Sequence, residues 1–337
     1  DALDPSYESA ANGISCCLYH GYPRLYMQFN KQAQFISDSH WYKGIEYLKD
    51  QERGEPFRED LYVPGYFELP IKKGESIIFS AGTGEASPRT LSRTFTNEVA
   101  SRTPRNSFFN CLKNSAQQFY FKKGKDLYIL AGYPFFGVRA RDEFIALPGC
   151  SLAIDDVSAF EQTMATAERA LRHYMECGET DPVIKDIDVP DVMLWAIWTI
   201  QHYAHEIGSK QCYERYGSFI ADILNYIIEG RHPNLFIHNN GLLYSNGKER
   251  PISWMNSMLN GAPVTPRSGY LVEINGLWYN ALKFAAQLFT ENNGDIALAN
   301  RWNALADKSG ASFVSTFLND YGYLFDYVDG NMTDWSV

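Results

Sequence analysis

The sequence predicts an α+β chain of more than one domain, with a β-rich start and a mainly helical remainder. Three observations predict it. The chain has 337 residues, more than the about 100–200 residues of a typical domain. Its first hundred residues are short segments rich in β-branched and aromatic residues, punctuated by Gly, Pro, Asn and Asp. From about Arg93 the apolar positions recur at helical spacing instead. Residues 1–95 are therefore expected to be the C-terminal part of an antiparallel β-sandwich domain, and residues 96–337 a mainly helical domain.

The β segments run in order GISCCLYHG, RLYMQFNK, QAQFISD, WYKGIEY, DLYVPGYFELPIKKG and ESIIFSAGT. Phe67 to Phe79 reads as a hairpin whose turn is Lys72-Lys73-Gly74-Glu75. Residues 93–121 read as helical, and the β-like stretch DLYILAGYPFF follows. Further helices are expected over Asp155–Tyr174, Pro190–Ile207, Cys212–Glu229, Tyr270–Thr290 and Gly294–Tyr321. Asp155 or Ser158 suits the N-cap of the first of these, and Pro190 the first turn of the second. Gly208 and Gly230 suit C-terminal caps. The loop from Gly230 to Gly269 is long and dense in polar groups, and loops of that length in a compact domain are more often functional than not.

Composition excludes several functions. Apolar residues make up 45% and charged residues 21%, as in a globular protein and unlike a disordered chain, a collagen or a simple coiled coil. The run from Val192 to Ile200 is far shorter than the ~20 residues that span a bilayer, so no membrane partner is expected. No signal peptide is visible at the start. The net charge is −10, without a Lys/Arg-rich block, which argues against nucleic acid and polyanionic substrates. The six cysteines form no C-x-x-C pair, so free thiols in a cytoplasmic protein are expected and a zinc site is not. Aromatic residues reach 15%. They fit either a large aromatic core or a cleft whose ring faces cover the apolar C–H faces of sugars.

Three stretches carry candidate chemistry. In GVRARDEFIALPG, Asp142 follows Arg141, with Arg139 two residues before. A carboxylate beside an Arg at a helix start accepts sugar hydroxyls while the Arg keeps it ionised; a helix-start ion pair has the same appearance. Asp191 begins a helix carrying Trp195 and Trp198, where an acid also suits the helix dipole. Residues 253–284 are densest, presenting Trp254, Asn256, Thr265, Arg267, Glu273, Asn275, Trp278, Tyr279 and Asn280. Positions 273, 277 and 280 share one helix face, and 274, 278 and 282 another. Glu273 near Arg267 serves either acid/base chemistry or a structural bridge, and both stay open. His202 and His205 lack a third metal ligand and read as structural. Asp326, Asp329 and Asp334 fail the EF-hand spacing. No dinucleotide, P-loop, serine-hydrolase or zinc-protease motif is present.

The strings RARDEFIALPG, ISWMNSMLNGAPVTPRSGYLVEINGLWYNAL and GYLFDYVDGNMTDWSV closely resemble the amylo-α-1,6-glucosidase region of glycogen debranching enzymes. The resemblance runs from about residue 95 to the end, and the β-rich start resembles the end of the N-terminal β-domain of bacterial members. It implies an (α/α)6 toroid, incomplete in this chain, with a cleft at one end. It also implies inverting hydrolysis of the single α-1,6-linked glucose on a trimmed glycogen or starch-type branch. Inversion needs an acid and a base about 6.5–9.5 Å apart. No metal or organic cofactor is implied.

Carried over by motif, Arg141 and Asp142 resemble the binders of the terminal glucose hydroxyls, and Asp191 resembles an Asp lining the same cleft. Trp254, Arg267, Trp278 and Tyr279 are expected to contact substrate with them. The family's W-M-D supplies its general acid, but the motif here reads Trp254-Met255-Asn256. An Asn side chain hydrogen-bonds and carries no acidic proton. Glu273 is then the nearest candidate acid. The family's general base resembles a Glu near the C-terminus, and both it and the last toroid helices are expected beyond Val337. The competing expectation is a non-catalytic glucan-binding protein. A weaker third is another toroid glycosidase of glucoamylase-like or trehalase-like specificity.

Overall fold

The computed structural model describes residues 3–133, 136–330 and 332–333. The described residues mix helix with several small sheets and are 44% helical. It divides into two units, Asp1–Pro104 and Arg105–Val337. The division falls nine residues after the expected boundary, because one helix crosses residue 95.

In the first unit, β1 (Tyr7–Ala10), β2 (Gly13–Cys16), β3 (Leu25–Phe29) and β6 (Phe79–Gly82) form one antiparallel sheet in the order β1-β2-β3-β6. Among the described residues, the long strands β4 (Gln34–Glu46) and β5 (Arg58–Glu68) pair only with each other, joined through the short helix α1 (Leu48–Glu52). Helix α2 (Pro88–Ser101) closes the unit. The ring of Phe29 on β3 meets Phe67 on β5 at 5.0 Å, and that of Tyr7 on β1 meets Phe35 on β4 at 4.7 Å, which joins the two sheets. The hairpin expected from Phe67 to Phe79 does not form. Its turn is present, with the Glu75 amide donating to the Lys72 carbonyl at 3.0 Å. However, β5 leads into that turn from β4, and β6 leaves it for β3. A local turn signal fixes the direction of the chain and not the strand it will pair with.

The second unit starts with α3 (Phe108–Gln118) and the meander β7 (Tyr120–Lys123), β8 (Asp126–Gly132) and β9 (Phe136–Val138). Six helices follow: α4 (Ala140–Cys150), α5 (Val157–Cys177), α6 (Val192–Ile207), α7 (Ser209–Ile228), α8 (Val272–Glu291) and α9 (Ile296–Phe317). They alternate. Helices α4, α6 and α8 pack in a row, while α5, α7 and α9 pack against α4, α6 and α8 respectively. Sequence explains the two roles. Helix α6 is apolar nearly all round, with Met193, Ile197 and Ile200 fully buried, as a helix enclosed by neighbours must be. Helix α9 instead buries a stripe at 299, 302, 306 and 309 and presents the rest to solvent. Thr199 ties the row together by donating to the Phe144 carbonyl at 2.6 Å.

The Gly230–Gly269 loop is held by buried polar groups of α8. Asn275 accepts from the Leu243 amide at 2.7 Å and donates to the Leu243 carbonyl at 3.0 Å. Trp278 donates its indole N–H to the Gly241 carbonyl at 3.1 Å. The loop ends where Tyr270–Leu271 pairs with residues 327–328. Gly269 is required there: its φ is +105°, and a Cβ would sit 2.2 Å from the Val328 carbonyl oxygen. The six cysteines are free. No described helix is long and apolar enough to cross a membrane. Asp334 lies outside the described residues.

Candidate active site

Helices α4, α6 and α8 each begin with a charged residue: Arg141 and Asp142 in the first turn of α4, Asp191 at the N-cap of α6, and Glu273 in the first turn of α8. Because these helices lie side by side, their N-terminal ends meet. Arg141 and Asp191 form a buried fork-to-fork pair, Nε to Oδ2 at 2.6 Å and Nη2 to Oδ1 at 2.8 Å. The Trp195 indole donates to Asp191 Oδ2 at 3.1 Å. Burial works against the Arg141 charge, but Asp191, with Asp142 and Asp186, offsets it, so the Arg141 pKa rises. Asp191 was expected to line the cleft. At 1% exposure, with both oxygens engaged, it instead anchors Arg141 from behind.

The anchor sets Asp142 outward. A cavity of about 440 Å³ opens beside it, lined by Arg141, Asp142, Ile145, Trp254 and Asn256 among others. Asp142 is exposed, and it is the one carboxylate among the described lining residues. Trp254, 61% exposed, and Asn256 come from the long loop. A smaller adjoining cavity shares Arg141 and Asn256 and adds Arg139, Asp186, Arg250 and Ser253. Around the larger cavity, an apolar ring face, a carboxylate, an amide and a guanidinium can hold a ring bearing several hydroxyls.

Arg267 is the second anchor. Its Nη1 and Nη2 donate to Glu273 Oε1 and Oε2 at 2.6 and 2.9 Å. Its Nε and Nη2 donate to Asp326 Oδ2 and Oδ1, both at 2.6 Å. Ser253 Oγ accepts from Nη1 at 2.9 Å. All five guanidinium N–H groups are thereby directed to protein acceptors, and the side chain is 2% exposed. Arg267 was expected to contact substrate; it has no donor left to do so. Glu273 was the nearest candidate acid. Both its oxygens accept from Arg267, and it does not line the cavity. Its place is in a structural clamp that holds α8, the long loop and the Asp326 segment together.

Two other expectations need correction. Trp278 is fully buried, with its face inside the core and its N–H spent on Gly241, so no sugar reaches it. The shared face of 274, 278 and 282 is the core face of α8. Tyr279 is 40% exposed but lies over Gly310 of α9, with Lys283 5.9 Å from its ring centre, away from the cavity lining.

Sequence reasoning missed Asp326, which it read only as a poor calcium-loop residue, and Glu143. Glu143 is 1% exposed, neither oxygen makes a well-formed hydrogen bond among the described residues, and the nearby Ile129 backbone favours its charge less than burial opposes it. Burial pushes its pKa well above the usual carboxylate value. The folded state therefore holds a proton that the unfolded chain releases above its ordinary pKa. Stability linked to Glu143 is complete below that value and is lost as pH rises toward the elevated one. Glu143→Gln is expected to flatten this loss: a plot of Tm against pH should decline less on the alkaline side than in the wild type. An identical decline would remove Glu143 as its source.

Comparison with known families gives two matches. The amylo-alpha-1,6-glucosidase family model matches residues 113–337, and the model for the N-terminal part of glycogen debranching enzymes matches residues 1–78. Comparison with curated proteins gave no match. The two family matches run in the order of the two units, and the longer covers the helices, the long loop and both anchors, so the chain belongs to the amylo-α-1,6-glucosidase family of glycoside hydrolases.

Proposed function

We propose that the second unit binds the terminal glucose of an α-1,6 branch stub on a glycogen-type glucan and hydrolyses the bond with inversion. The observation that carries this is Asp142. It is an exposed carboxylate set on a rigid Arg141–Asp191 anchor and faces a cavity that also holds the Trp254 ring. The alternating helices support an arc of an (α/α)6 toroid, in which the inner row α4, α6 and α8 directs its N-terminal ends into the cleft.

Inversion divides proton transfer between two carboxyls with a water between them. Asn256 can orient a hydroxyl and cannot supply the proton. Glu273 is committed to Arg267. Asp142 is thus the carboxyl available for acid/base work or for the glucose hydroxyls. With Asp186 of the adjoining cavity paired to Arg139, a single unpaired carboxylate among the described lining residues favours a second reading: a glucan-binding unit with little or no turnover.

Glucose release from phosphorylase-limited glycogen carrying single α-1,6 glucosyl stubs tests both. β-Glucose as first product is expected for an inverting hydrolase. Binding of the stubbed glucan without glucose would establish the binding reading instead. Asn256→Asp gives the cavity a second carboxyl and is expected to raise the rate by about 10²–10⁴, the usual yield of a positioned general acid. An unchanged rate would show that position 256 does not carry proton transfer.

A further inference from the structure

We propose that the first unit carries a separate binding groove for a linear α-glucan chain, built on the β4–β5 ribbon around Trp41 and Tyr62. The inference rests on the reading of this chain as acting on α-glucans and extends it to a second site.

The groove has a volume of about 600 Å³, and its lining includes Tyr19, His40, Trp41, Lys43, Asp60 and Tyr62, all within the first unit. Trp41 and Tyr62 are directly paired across the strands, with ring centres 5.3 Å apart, and so stand on one face of the ribbon. Trp41 and Tyr19 are each 40% exposed. Large rings held half open in a groove cover apolar C–H faces well.

Two independent features mark this as a built site. The first is backbone geometry. The pairing of β4 with β5 shifts register twice, between Ser37 and His40 and again between Tyr42 and Ile45. The ring-bearing segment 40–42 lies between these irregularities, and β-bulges re-aim side chains next to binding sites. The second is an unmet polar group. The Tyr62 hydroxyl is shielded from solvent and has no hydrogen-bond partner among the described residues, while its residue lines the groove. A buried hydroxyl left unpaired costs free energy, which a ligand hydroxyl recovers once the ring turns out into the groove. The charged lining residues are one Lys and one Asp. Their balance favours a neutral ligand over an anion. Asp60 keeps one oxygen on the Gly44 amide at 2.8 Å, which fixes the carboxylate at the groove edge. Ring faces, a fixed carboxylate and an amine, without net charge, match the alternating apolar and hydroxyl surfaces of a gluco-oligosaccharide.

The test is calorimetric titration of the full chain with maltoheptaose, a linear α-1,4 glucan. Two binding events are expected in the wild type. Trp41→Ala should weaken one of them about tenfold or more and leave glucose release from a small stubbed substrate unchanged. Tyr62→Phe keeps the ring and should weaken the same event while folding normally. Asp142→Asn should affect only the other event. If Asp142→Asn abolishes all binding and neither Trp41→Ala nor Tyr62→Phe changes it, the groove is not a glucan site although the glucan reading stands. If the wild type neither binds maltoheptaose nor acts on stubs, both are overturned.

Discussion

Replacing Asp142 by Asn is expected to lower glucose release from α-1,6 stubs by at least about 10²-fold, the lower range for a group engaged in proton transfer. The change keeps size and shape, so the Arg141–Asp191 anchor behind it should persist and Tm should hold. The split between kcat and KM distinguishes the two tasks open to Asp142. Loss in kcat with binding retained identifies proton transfer. A matching loss of affinity identifies a holder of glucose hydroxyls, since a site built on a charged hydrogen bond is weakened in ground and transition state together. Activity within twofold of the wild type would remove Asp142 from the site.

Replacing Arg267 by Met is expected to destabilise the second unit by about 3–5 kcal/mol, the usual cost of leaving buried charges without their partner. Burial sets this magnitude. The side chains of Arg267, Glu273 and Asp326 are 2%, 21% and 17% exposed, so water replaces little of what the guanidinium supplies. Burial opposes the Arg267 charge, yet the two carboxylates raise its pKa, as expected for a cation held by matched acceptors. The denaturation midpoint in urea reads the effect. Combining Arg267→Met with Glu273→Gln and Asp326→Asn should recover part of the loss, because the stranded charges go with the cation. A single variant within about 1 kcal/mol of wild type would show the clamp to be incidental. Glu273→Gln alone leaves one carboxylate on Arg267, and its effect should fall on stability ahead of catalysis.

The helices were legible because they are long and strongly periodic. The five expected in the second unit appear with ends displaced by a few residues, and the cap of α5 is Asp156 in place of Asp155 or Ser158. The family resemblance carried by RARDEFIALPG and by the 252–282 string is borne out by the family match. Strand pairing in the first unit was less legible. Nothing local in FELPI or SIIFSA states that the partners are β4 and β3. The side-chain alternation of a strand reports which face is buried and carries no address for its neighbour.

Sequence by itself determined the family and the charged residues at the starts of α4, α6 and α8. Each of these is written in short-range patterns: periodicity, caps and motif strings. Only the tertiary structure decided what those charges do. Arg141 finds Asp191 fifty residues away, and Arg267 finds Asp326 fifty-nine away as well as Glu273 beside it. Those pairings hold Arg267, Glu273 and Asp191 in ion pairs and leave Asp142 lining the cavity. A charged side chain becomes an anchor or a functional group according to whether the fold brings it a buried partner, and partners that far apart in the chain meet only when the helices pack.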